Sequence, residues 1–126
     1  MAAQNFRPFI CTLLFVGATT AAKDIVVVDN QLSACAKIFD SKIVKDTAVP
    51  LLSFSVSLKD SIADCGCKSA LSMFSVSSQR DSYKSFLLSG KVALEKSGDK
   101  FIPLAADYAL IDKVDLEVSF SCAQPD

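Results

Sequence analysis

The segment DKVDLEVSFSCA, residues 112–123, decides the fold because apolar and polar side chains alternate along it. Its apolar set is Val114, Leu116, Val118, Phe120 and Cys122. Successive side chains of a β-strand point to opposite faces, so this pattern predicts a strand with one face in a core and the other in water. LLSFSVSLKD, residues 51–60, repeats the pattern with serines on its polar face.

Four further segments have strand character: KDIVVVDN (23–30), SALSMFSVSS (69–78), SFLLSGKVALEKS (85–97) and FIPLAAD (101–107). In the third we expect Phe86 and Leu88 to face the core and Gly90 to mark a bulge. Pro103 indicates an edge strand, because proline cannot donate to a neighbouring strand. SSQRDSYK, residues 77–84, reads as a polar turn. Short strands joined by polar turns predict a mainly β fold, an antiparallel β-sandwich or partial barrel.

One segment follows a different period. Leu32, Cys35, Ala36, Phe39 and Ile43 recur at helical spacing. The sequence therefore predicts an N-terminal amphipathic helix over residues 31–44, started by Asn30 or Asp29. With this helix, an α+β arrangement is the alternative fold class.

The N-terminus has the order of parts of a secretory signal peptide. Arg7 precedes the apolar run FICTLLFVGA, and the small residues ATTAA (18–22) follow it. The run is too short to span a bilayer. We expect cleavage after Ala22, with Ala21 as the second choice, which leaves one domain over residues 23–126. The predicted location is the periplasm, with secretion as the alternative.

The composition excludes several functions. The chain has 13 Lys+Arg, 14 Asp+Glu and no His. Without a basic run we expect no nucleic-acid partner, and without a second long apolar stretch no membrane insertion after signal cleavage. The lack of histidine rules out the usual catalytic triads, and no glycine-rich phosphate loop occurs. We therefore predict no enzymatic activity, no catalytic residue, no cofactor and no metal.

Four cysteines remain after signal removal: Cys35, Cys65, Cys67 and Cys122. An even number in an exported chain predicts a disulfide framework. A bond between Cys65 and Cys67 would be strained, because a single residue separates them. Separate partners for these two cysteines are therefore favoured, and the sequence does not choose between the two such pairings.

A second interpretation gives the same residues a chemical role. Cys65 and Cys67 could act as a thiol-redox pair, or hold copper(I) together with Met73. This interpretation requires an accessible, easily reduced pair of thiols. Met73 is more simply explained as a core residue.

The segment FSVSLKDSIADCGCKSALSMFSV, residues 54–76, resembles a family of small exported bacterial proteins known as domain of unknown function 2195. The likeness rests on the signal, the length and the central CGCKSA. It implies a bacterial periplasmic protein and assigns no catalytic residue.

These observations predict a non-enzymatic binding protein, and more narrowly an immunity protein or an inhibitor of a secreted enzyme. The expected partner is another envelope or secreted protein. The candidate contact loop is formed by Arg80, Asp81, Tyr83 and Lys84, because Arg and Tyr are enriched at interface anchors. A structural envelope subunit, with KDIVVVDN added as a strand to a neighbour, is a further alternative.

Overall fold

The computed structural model describes residues 26–125, and the predicted signal segment, residues 1–22, lies outside them. Seven strands are described: β1 (Val26–Asn30), β2 (Ala36–Val44), β3 (Leu51–Leu58), β4 (Ser72–Arg80), β5 (Tyr83–Val92), β6 (Gly98–Pro103) and β7 (Asp115–Cys122). Two short 3-10 helices span Ile62–Cys65 and Tyr108–Ile111.

The strands form two sheets. Sheet A has the order β1-β7-β4-β5, and sheet B has the order β2-β3-β6. Neighbouring strands run antiparallel except β1, which is parallel to β7 and was not predicted to be. The mainly β prediction is confirmed, and the two sheets of the described residues do not close into a barrel. β6, which ends at Pro103, is an edge strand as predicted.

The alternating side chains of β3 and β7 supply the core between the sheets. Phe54 of β3 is 1% exposed and Phe120 of β7 is 0% exposed. Their ring centroids lie 5.2 Å apart in a tilted arrangement, a favourable geometry for two aromatic rings. Because one ring belongs to each sheet, this contact joins the two sheets face to face. Burial of each ring contributes roughly 1.5–3 kcal/mol.

The helix predicted for residues 31–44 is wrong, since β2 occupies most of that segment. A single turn does form at its start. The side-chain oxygen of Asn30 accepts a hydrogen bond from the amide of Leu32 at 2.9 Å, and the amides of Cys35 and Ala36 donate to the Leu32 carbonyl. The turn then ends, and the chain continues as a strand paired with β3. With residues 26–125 free of α-helix, the α+β alternative also fails.

A bulge in β2 interrupts the alternation of this strand, and Phe39, predicted to lie on the inward stripe of a helix, is 38% exposed. The register with β3 shifts between Phe39 and Lys42, and Asp40 adopts a φ of 54° there. The extra residue brings Ile38 and Ile43 onto the same side, where both pack partly buried against the core. A regular strand would place residues five apart on opposite faces.

The β4–β5 hairpin also differs from the prediction. Most of residues 77–84 belong to the two strands, which are joined by a two-residue turn. The register shift in this pair falls between Val76 and Ser77, and Gly90 remains in register with Phe74. The bulge expected at Gly90 is therefore in the wrong place.

Candidate interaction surface

The CGC stretch is a junction between two disulfides. Cys65 is bonded to Cys35, and Cys67 is bonded to Cys122. Gly66 between them has a φ of 93°, in the left-handed region that glycine enters without strain. Its amide donates to carbonyls of the preceding 3-10 helix, which ends there. The two sulfurs on either side of Gly66 bond to separate partners, the arrangement that the strain argument favours.

These bonds count against a thiol-redox or copper site at Cys65 and Cys67. Such a site needs an accessible pair, but each sulfur is bonded elsewhere and Cys67 is 6% exposed. Met73 lies outside the core cluster on the outer face of sheet A, so its assignment to the core is wrong. Among residues 26–125, no three His, Cys, Asp or Glu side chains gather in a way that could hold a metal ion.

The residues predicted to make contacts gather at the tip of the β4–β5 hairpin: Arg80, Asp81, Tyr83 and Lys84. Asp81 occupies the turn with a φ of 56°, a conformation that Asp tolerates better than most residues. All four residues are exposed. The hairpin lies at one edge of sheet A, because β5 is the last strand of that sheet.

Two of these side chains contact other parts of the protein. The Arg80 guanidinium donates to the carbonyl of Asp112 at 3.3 Å. The Lys84 ammonium lies 2.5 Å from the Glu117 carboxylate on β7. Tyr83, in contrast, is 76% exposed. Arg80 and Lys84 therefore support the hairpin, and Tyr83 is the side chain that the hairpin presents to solvent.

A row of four outward-facing residues crosses sheet A beside the hairpin. The strand register places Val27 opposite Glu117, Glu117 opposite Ser77, and Ser77 opposite Phe86. We refer to these four residues as the Val27–Phe86 row. Its two ends are apolar and exposed, Val27 at 53% and Phe86 at 64%.

The outward position of Phe86 was not predicted. Regular alternation along β5 would place Phe86 and Leu88 on one face. The adjacent residues Val76 and Ser77 pair with Leu88 and Phe86, which leaves Leu87 as the extra residue of the bulge. Phe86 therefore faces outward while Leu88 packs against the core. The sequence of β5 does not show where this bulge falls, because Gly90, the residue expected to mark it, lies outside the register shift.

An open depression of about 540 Å³ adjoins the Val27–Phe86 row. Its lining consists of Val27, Gln79, Asp81, Lys84, Asp115, Leu116 and Glu117. Three carboxylates face one ammonium group there, so the depression carries net negative charge. Leu116, which is 2% exposed, lies beneath the depression with its side chain in the core.

The serines that alternate along β3 and β7 lie on the outer sheet faces, whereas Ser72 and Ser78 of β4 are buried. Some of the outer serines bond to neighbouring acids. The Ser55 hydroxyl donates to the Asp99 carboxylate at 2.8 Å, and Ser119 donates to Asp29 at 3.2 Å. These contacts agree with the interpretation of wetted strand faces.

Fold and surface together define a two-sheet β protein, cross-linked by two disulfides, with an exposed hairpin at one sheet edge. The chain belongs to the family described as "Uncharacterized protein conserved in bacteria (DUF2195)", whose model matches residues 10–125. The predicted family resemblance is thereby confirmed. Comparison with curated proteins and with solved structures gives no match. Within residues 26–125, no helix has the length and apolar character required to cross a membrane.

Proposed function

We propose that this bacterial protein is exported and works by binding another envelope or secreted protein, without catalysing a reaction. The periplasm is the proposed location, and secretion is the alternative. Two features support export: the order of charge, apolar run and small residues before residue 23, and the pairing of all four cysteines beyond it. Disulfides persist in oxidising compartments outside the cytosol.

The exposure of Tyr83 and Phe86 is the observation that carries the binding role. They are 76% and 64% exposed, and both lie on β5 at the edge of sheet A. Large aromatic side chains supply much of the binding energy in protein interfaces, with Tyr among the most frequent anchors. Pairing with β4 is regular between these two residues, so Tyr83 lies at the hairpin tip and Phe86, on the opposite side of the strand, lies on the outer face of sheet A.

The cross-linked scaffold favours an antagonist, such as an immunity protein or an inhibitor of a secreted enzyme. One disulfide joins Cys67 to the end of β7, and the other joins Cys35, just before β2, to Cys65. A partner that binds a preformed surface avoids the entropic cost of ordering it, which increases affinity. Tight, stoichiometric inhibition depends on such preorganisation.

A photo-crosslinking amino acid at position 83 tests the binding role in intact cells. We expect one covalent product with an envelope or secreted protein, because residue 83 lies at the exposed tip of the hairpin. The matched control carries the same amino acid in place of Phe101, which is 58% exposed on the other sheet. Capture of the same products from both positions, or of none from position 83, would overturn the proposal.

The narrower role as an inhibitor has its own test once the captured partner is purified. We expect the partner's enzymatic activity to fall as the protein is added, with an endpoint at one-to-one stoichiometry. Tyr83→Ala should raise the inhibition constant about thirty-fold, the equivalent of a loss of roughly 2 kcal/mol at an anchor residue. A partner that remains fully active at saturation would exclude inhibition and leave binding alone.

A further inference from the structure

The Val27–Phe86 row has dimensions that an extended peptide segment matches. Its four residues lie on four adjacent strands, in one register line across sheet A. Neighbouring strands are about 4.8 Å apart, so the two apolar ends of the row lie about 14 Å apart. An extended chain advances about 3.4 Å per residue, and its residues i and i+4 therefore span about 14 Å on the same face.

The charge of the surface determines which residue type of the segment fits between positions i and i+4. Glu117 is in the row itself, and Asp115 and Asp81 line the adjoining depression. Lys84, the cation among the lining residues, already pairs with Glu117. Residue i+2 of an extended segment faces the same way as i and i+4, so it would meet the surface near Glu117 and Asp115. An Arg or Lys at i+2 complements the net negative charge there.

We propose that this surface binds an extended segment of the partner protein that carries a basic residue flanked two positions away on each side by apolar residues. The segment lies across the strands of sheet A, with its apolar side chains on Val27 and Phe86. This inference rests on the proposed binding role and specifies the partner's contact segment.

A second copy of this chain fits the same surface poorly. A two-fold dimer through the row would bring Glu117 and Asp115 towards their own copies, and like charges facing each other destabilise an interface. An acidic partner segment meets the same repulsion. Charge complementarity therefore favours a basic segment from a different protein.

A pair of synthetic peptides tests the inference directly. The two peptides are acetylated and amidated Ser-Leu-Ser-Arg-Ser-Leu-Ser and the same sequence with Glu in place of Arg. Each is titrated into the ¹⁵N-labelled protein, purified after export, while amide chemical shifts are recorded. We expect the Arg peptide to shift amides around Val27, Ser77 and Glu117, with an affinity about ten-fold higher than that of the Glu peptide.

Two substitutions of phenylalanines with similar exposure, 64% and 58%, localise the response. Phe86→Ser should reduce the shifts caused by the Arg peptide several-fold, because Phe86 forms one apolar end of the row. Phe101→Ser, on sheet B, should leave them unchanged. Equal responses to both peptides, shifts centred on sheet B, or no response at millimolar peptide would overturn the inference.

Failure of this inference is distinguishable from failure of the binding role. If photo-crosslinking from position 83 captures a partner while neither peptide binds, the basic segment is refuted and the binding role stands. If crosslinking captures nothing, the binding role itself fails.

Discussion

Removal of one disulfide should cost this protein a large share of its stability, and the structure gives the size of the loss. The bonds close loops of 30 and 55 residues. In the chain-entropy relation these lengths correspond to about 3.6 and about 4.2 kcal/mol at 25 °C. A domain of this size has a free energy of unfolding of about 5–15 kcal/mol in total.

The two contributions should add, because the loops follow one another along the chain and share no residue. The first loop ends at Cys65 and the second begins at Cys67. Closure of one loop therefore leaves the entropy of the other unchanged. Together they amount to about 8 kcal/mol, which is enough to leave the fully reduced protein close to unfolding.

The assay is unfolding in urea, monitored by far-ultraviolet circular dichroism because the chain has no Trp whose fluorescence could report unfolding. We expect the Cys67→Ala/Cys122→Ala double variant to lose about 4 kcal/mol and the Cys35→Ala/Cys65→Ala double variant slightly less. The quadruple variant should lose the sum. A loss below about 1 kcal/mol for either double variant, or a strongly non-additive quadruple variant, would refute the reasoning.

Three further substitutions test the packing and the backbone by the same unfolding assay. Gly66→Ala should cost about 1–2 kcal/mol, because the φ of 93° strains an L-residue although an added Cβ meets no atom within 4 Å. Gly66→Asn should cost less, and equal losses would argue against a left-handed backbone there. Gly90→Ala should cost about 1–3 kcal/mol, since its Cβ would lie 3.0 Å from the ring of Phe74; a neutral result would mean that the ring moves freely. Phe54→Ala should cost about 3–5 kcal/mol through the cavity left beside Phe120, and a loss under about 1 kcal/mol would contradict the described core.

Strands with strict alternation were predictable from the sequence. In β3 and β7 the apolar positions, such as Leu52, Phe54, Leu116 and Val118, are buried as expected. A period of two is a local property, so it can be read without knowledge of the partner strand. The same reasoning predicted the separation of the CGC cysteines, because strain in a short ring is also local.

The predictions of helix, strand and buried face were wrong where one extra residue interrupts the alternation. In β2 the bulge after Phe39 places Ile38 and Ile43, five residues apart, on one side, so no regular alternation marks the strand. In β5 a register shift moves Phe86 to the outer face. Bulges are set by pairing with a neighbouring strand, and that information is distributed over distant parts of the chain.

The candidate surface was predictable only in part. The hairpin tip with Arg80 and Tyr83 was identified from residue types alone. The Val27–Phe86 row was not, because it depends on the register of four strands, including a parallel pair that joins β1 to β7. The supporting role of Lys84 likewise follows from its ion pair with Glu117, 33 positions along the chain.

The central claim is that the protein is an exported scaffold in which the CGC stretch joins two separate disulfides. Its most direct test is mass spectrometry of the protein purified from the periplasm. Because a single glycine separates Cys65 from Cys67, proteolysis keeps both bonds in one product, and stepwise reduction with alkylation must separate them. We expect a chain that begins at Lys23, about 4 Da lighter than its reduced form, with Cys35 bonded to Cys65 and Cys67 to Cys122. Free thiols, or a bond between Cys65 and Cys67, would contradict it and return the redox or copper site to first place.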